Sequence, residues 1–134
     1  MTPPPPTTLR DPVLQVCLQC GSSQRDAHGC KVANPAALAL AADWAALAAP
    51  LGIRVQKVRC FGHCTTPIAW AVRAENGWGY TFAPAPENPS DLTAFLQTWL
   101  TASRFGLVPK KEMPPSIRAA YQSRLPSPAY DPDH

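Results

Sequence analysis

Charge is scarce in this chain: Asp, Glu, Lys and Arg make up only 16% of its 134 residues, and the formal net charge is +3. No stretch clusters Lys and Arg with aromatic residues as a phosphate-tracking surface would, which argues against nucleic acid as a partner. No apolar run approaches the ~20 residues a membrane span needs. The segment Met1 to Pro12 lacks the apolar centre of a secretory signal, so the expectation is a cytoplasmic protein with no membrane partner. No Ser/His/Asp set or pair of carboxylates stands out to serve a conventional hydrolase. An even cysteine count is missing too: there are five, and a compartment that keeps thiols reduced does not favour a disulfide scaffold. Metal or redox chemistry becomes the leading question.

Proline is in surplus, with 17 residues against a usual share of ~5%. The run Pro3 to Pro6 opens the chain, and Pro109, Pro114, Pro115, Pro126, Pro128 and Pro132 punctuate its last stretch. The expected organisation is a disordered Pro-rich segment over 1–11, one domain over 12–106, and a Pro-rich tail over 107–134 holding at most one short helix, Ser116 to Arg124.

Val13 to Val16 reads as a first strand ending at Cys17. Gln19 to Asn34 has no clear period and is a long loop, of a length that merits a functional reading. Asn34-Pro35 opens a helix, because Asn accepts from the orphan amides of the first turn and proline there sacrifices no bond. Leu40, Trp44 and Leu47 mark its bulky side, and Pro50 and Gly52 end it. Ile53 to Arg59 reads as a second strand whose alternation slips at Gln56-Lys57, suggesting a bulge. Pro67 to Arg73 and Gly77 to Phe82 read as a hairpin turning at Glu75-Asn76-Gly77. Asn88-Pro89 repeats the helix opening, and Leu92, Phe95, Leu96 and Trp99 follow helical spacing to about Ala102. The order gives an α/β (α+β) fold of thioredoxin-like βαβββα topology: a right-handed parallel crossover whose sheet is extended by an antiparallel hairpin.

Cys17 and Cys20 are spaced C-x-x-C, Cys60 and Cys64 are spaced C-x-x-x-C, and each pair begins where a strand ends. Adjacent strands lie about 4.8 Å apart, so loops leaving one sheet edge bring four thiolates within reach of a small metal centre. Soft thiolates select zinc or an iron–sulfur cluster, and no carboxylate-rich loop competes. The bland alternative is a set of reduced core cysteines, since cysteine is among the most buried residue types. Cys30, with twelve residues between it and Cys17 in the same long loop, is an alternative to Cys20 as the fourth ligand.

Val16-Cys17, Gly29-Cys30, Cys60-Phe61-Gly62-His63-Cys64, the apolar strand after them, Gly77-Trp78-Gly79-Tyr80 and the closing helix resemble the thioredoxin-like [2Fe–2S] ferredoxins over Val13 to Leu100. That resemblance implies one [2Fe–2S] cluster on Cys17, Cys30, Cys60 and Cys64, and a homodimer; Cys20 is the departure. The chain is also similar to an uncharacterised bacterial family described as predicted metal-binding. Its members open on Val-Cys-x-x-Cys and close on Gly-Leu-Val-Pro, as Val16 to Cys20 and Gly106 to Pro109 do here. This second resemblance implies Cys17, Cys20, Cys60 and Cys64, and the tail match inclines the choice toward Cys20, with Cys30 kept open.

Near these cysteines, His63 is a Rieske-type ligand or a donor to a cluster sulfur, against the commoner reading of a solvated loop histidine; His28 is similar. Arg59 offsets cluster charge or simply faces solvent, and Phe61 shields the site or meets a partner. Thr66-Pro67 stands where thioredoxin-like folds often carry a cis-proline. Trp44, Trp70, Trp78 and Trp99 read as core. The expected function is one-electron transfer or redox sensing for a redox partner protein, without enzymatic turnover. The alternative is a four-cysteine zinc module. A thiol–disulfide oxidoreductase using Cys17 and Cys20 comes third, because more than ten residues separate that pair from the Asn34-Pro35 helix start.

Overall fold

In the computed structural model the described residues are 9–19, 27–29, 32–59, 68–102 and 105–126. Strand β1 (Val13–Cys17) leads to helix α1 (Pro35–Ala48) and strand β2 (Arg54–Val58). The hairpin β3 (Trp70–Arg73) and β4 (Gly79–Phe82) follows, then α2 (Pro89–Thr101), a short α3 (Pro115–Ala120) and β5 (Tyr121–Leu125). Both Asn-Pro openings work as helix starts. The Asn34 side chain accepts from the Ala36 amide at 3.0 Å, and that of Asn88 accepts from the Ser90 amide at 2.9 Å. Among the described residues no helix is long and apolar enough to cross a membrane.

The five strands form one sheet in the order β2-β1-β3-β4-β5. β1 runs parallel to β2, and the remaining pairs are antiparallel, so the crossover and the hairpin extending its sheet are both observed. Alternation along the strands sends Leu14 and Val16, Trp70 and Val72, and Tyr80 and Phe82 to one face. There they form the core with residues of α1, α2 and α3. Trp70 is its centre. The indole stacks on Phe82 at 4.2 Å between centroids, meets Trp44 edge-on at 5.3 Å, and donates to the Pro84 carbonyl at 3.1 Å. Burying a ring of about 200 Å² stabilises by roughly 5 kcal/mol. Trp44 and Trp99 are buried as expected, whereas Trp78 is half-buried beneath the Arg124 guanidinium.

α1 packs differently from the expected leucine stripe. Its buried residues are Ala37, Ala41, Trp44 and Ala48, with Leu40 and Leu47 at the margins. Alanine at three of these positions lets the helix approach the sheet closely, and Trp44 supplies the bulk.

The bulge expected in β2 is absent, since β1 and β2 pair without interruption from Val13↔Arg54 to Cys17↔Val58. The slipped alternation reflects position rather than geometry. On this outer strand Val55 reaches the core, but Lys57, on the same face, is exposed to solvent. The register shift lies instead between β4 and β5, at Thr81 and Phe82. The cis peptide among the described residues is Ala83-Pro84; Thr66-Pro67, where one was expected, lies outside them.

The segments expected to be idle are built in. Leu9 is buried in the core, the Arg10 amide donates to Asn76 Oδ1 at 2.7 Å, and Asp11 pairs with Arg54 at 3.0 Å, so the boundary at residue 11 is corrected. Leu9 also packs so closely on Gly77 that a side chain there would collide with it. Beyond residue 106 the chain supplies α3 and β5, and Val108, Met113, Ile117 and Ala120 are buried. The fold is therefore βαβββααβ, and the expected 107–134 tail is corrected as far as Pro126. A tight turn starts this return. Gly106 has φ +85° and lies so near the Trp99 indole that a Cβ would sit 2.6 Å from its Nε1. Just beyond, the Val108 amide donates to the Tyr80 hydroxyl at 2.7 Å, and that hydroxyl donates back to the Val108 carbonyl at 3.3 Å.

Two outcomes are expected from this arrangement. Ile117→Ala should lower unfolding free energy in urea by about 3 kcal/mol, the ordinary cost of a core cavity, whereas a loose tail would give almost none. Burial raises the Tyr80 phenol above its ordinary 10.0, against smaller lowering influences from the Val108 hydrogen bond and Arg124. The folded chain therefore keeps a proton that the unfolded chain sheds, so this contribution is whole below pH 10.0 and is lost as pH rises above it. Tyr80→Phe should abolish that alkaline loss and cost about 1–3 kcal/mol at neutral pH by orphaning the Val108 amide; urea titrations at pH 7 and above 10 would measure both.

Candidate functional site

The site begins at the carboxyl end of β1. Parallel pairing places Cys17 opposite Val58, and the Leu18 amide continues the ladder by donating to the Val58 carbonyl at 2.8 Å. On the other side the Cys17 amide donates to the Ala69 carbonyl at 3.0 Å. The thiol is fully buried and packs with Ala69, Ala83 and Ile68, a small cluster separate from the main core. Cys17 Sγ donates to the Arg59 carbonyl at 3.2 Å. That carbonyl belongs to the peptide unit joining Arg59 to Cys60, so the fold draws the chain entering the second cysteine motif onto the first cysteine.

The start of α1 reaches the same place. The Asn34 amide donates to the Leu18 carbonyl at 2.7 Å, so the long loop after Cys17 returns to the residue beside it. Sequence spacing had counted those residues as separation. The Asn-Pro start was visible, but nothing in the sequence showed that it closes back onto Leu18. The partial positive end of the helix dipole thus lies at the strand end that carries Cys17.

Of the expected site residues, Cys17 is described; Cys20, Cys30, Cys60, Cys64, Phe61 and His63 lie outside the described residues. His28 and Arg59 are exposed. Among the described residues no group of three or more His, Cys, Asp or Glu side chains is arranged to hold a metal ion. The chemistry of Cys17 fits a thiolate ligand. Its sulfur is withdrawn from water and held by a single S–H···O contact, which a bound cation would replace as it displaces the thiol proton.

These features define an α+β protein with a five-stranded mixed sheet and a buried cysteine at the end of its parallel pair. Residues 14–127 match the family described as "Protein of unknown function (DUF1636)", and the chain belongs to that family. No curated protein and no solved structure matches it.

In the metal-free chain, Cys17 should react with iodoacetamide on the order of a hundredfold more slowly than in urea, because attack on it requires local opening. Quenched labelling with peptide mass spectrometry would measure this.

Proposed function

We propose that the chain holds a [2Fe–2S] cluster through Cys17, Cys60, Cys64 and either Cys20 or Cys30, and exchanges single electrons with a partner protein. The observation that carries this reading is the Cys17 Sγ contact with the Arg59–Cys60 peptide unit, which ties the roots of both cysteine motifs to one sheet edge. The strand order β2-β1-β3-β4, with its parallel first pair, supports the resemblance to thioredoxin-like ferredoxins. When bound, such a cluster takes up and releases one electron at a potential set by hydrogen bonds and exposure. The chain's own residues do the rest. The β1–β2 ladder fixes Cys17 and the approach to Cys60, Ala69 and Ala83 keep water from the sulfur, and the α1 start brings positive partial charge toward a thiolate-rich, anionic centre.

Thiol–disulfide exchange finds its helix start close to Cys17 after all, yet complete burial of that sulfur deprives it of the access a nucleophilic cysteine requires. A four-cysteine zinc module would use the same ligands without redox chemistry.

Anaerobic purification from iron-replete cells should give a red-brown protein with about two irons and two sulfides per chain. Cys17→Ser should bleach it, and of Cys20→Ser and Cys30→Ser only the variant that removes the fourth ligand should do so. A colourless chain with about one zinc would move the function to the structural class, and a chain without metal would overturn both.

A further inference from the structure

The segment before β1 docks on the rest of the chain as a ligand would. Leu9 is buried in the core, in a socket that two glycines leave open. A side chain at Gly77 would collide with Leu9, and a Cβ at Gly106 would lie 3.5 Å from it. The backbone beside this plug pairs with the turn of the β3–β4 hairpin. The Arg10 amide donates to Asn76 Oδ1 at 2.7 Å, and the Glu75 amide donates to the Arg10 carbonyl at 3.0 Å. A side chain in a fitted pocket, with main-chain hydrogen bonds alongside it, is how an extended peptide is recognised. Here the peptide is the chain's own.

The joint that folds it into place is strained. Asp11 has φ +47°, a left-handed conformation that costs an L-residue free energy. It also precedes Pro12, which favours extended backbone at the residue before it. The Leu9 and Arg10 contacts hold Asp11 in this conformation, and its pair with Arg54, half-exposed on both sides, adds little. An extended Asp11 would carry Leu9 out of the socket of its own chain. Two copies that exchange the segment keep the Leu9 and Arg10 contacts while releasing the strain at both joints, and a short joint under strain is what invites such an exchange. We propose that Leu9 and Arg10 of one copy fill the Gly77–Gly106 socket of a second copy, giving a dimer swapped at Asp11. The exchange takes place at the start of β1, away from Cys17 at its other end, and needs no bound metal.

Sedimentation equilibrium of the full chain over a range of concentrations measures the dimer. Asp11→Gly and Asp11→Val both remove the pair with Arg54 but differ at positive φ, which glycine adopts freely and a β-branched residue resists. Asp11→Gly should weaken dimerisation about tenfold, and Asp11→Val should strengthen it on the order of a hundredfold, since each dimer relaxes two joints. Adding Leu9→Ala to Asp11→Val should return the chain to monomer. In a mixture of isotope-labelled and unlabelled Asp11→Val chains, filtered NMR should find the Leu9 methyls of one copy against the Gly106 α-protons of the other. If Asp11→Val does not fold, Asp11→Ala also resists positive φ and must shift the equilibrium in the same direction. Equal dimerisation of Asp11→Gly and its counterpart, a dimer that survives Leu9→Ala, or Leu9–Gly106 contacts confined to one chain would overturn the exchange.

Discussion

Parallel pairing between β1 and β2 is the constraint from which the rest of the molecule follows. Two parallel neighbours cannot be joined by a tight turn, so the chain must travel the length of the sheet and back, and α1 makes part of that journey. Because both strands run the same way, their carboxyl ends emerge at one edge, where Cys17 faces Val58 and the Arg59 carbonyl receives the thiol. The hairpin then adds to the free side of β1, and the Cys17 amide finds its acceptor in Ala69. A slip of one residue in this register would turn every core side chain of β1 to the other face and carry Cys17 away from the second motif.

Much of this was legible in the sequence because several local signals agreed. Asn-Pro at both helix starts, the apolar alternation of the strands and the Asn-Gly turn each specify a conformation through a short-range cause, and each appears where expected. What escaped was long-range. The Pro-rich composition after Gly106 hid a segment that buries Val108, Met113, Ile117 and Ala120. Proline in such a stretch fixes φ and opens α3 at Pro115 rather than marking disorder. Strand β5 has mostly exposed side chains and is held mainly by its ladder to β4, an arrangement that leaves little periodic signal.

Of the candidate site, the described residues include Cys17 alone among the expected cysteines, and its surroundings were not legible in the sequence. Spacing identified two cysteine motifs and the strand ends that precede them. It did not reveal that α1 begins beside Leu18, because a hydrogen bond between residues 18 and 34 leaves no trace in composition. Nor did it separate the bulky flank of α1 from its buried flank, since alanine carries too little hydrophobicity to advertise a contact that depends on its small size.

That alanine contact gives α1 a mechanical role. With Ala41 and Ala48 in the core beside Trp44, the approach of the helix to the sheet depends on small side chains, and the Asn34 amide at the start of the same helix is bonded to Leu18. Closely packed interiors pass small displacements along rather than absorbing them. One added methylene beneath α1 would lift the helix as a lever and shift the fastening at Leu18. Side-chain volume at Ala41 and Ala48 is thereby coupled to the bond between Asn34 and Leu18, next to Cys17.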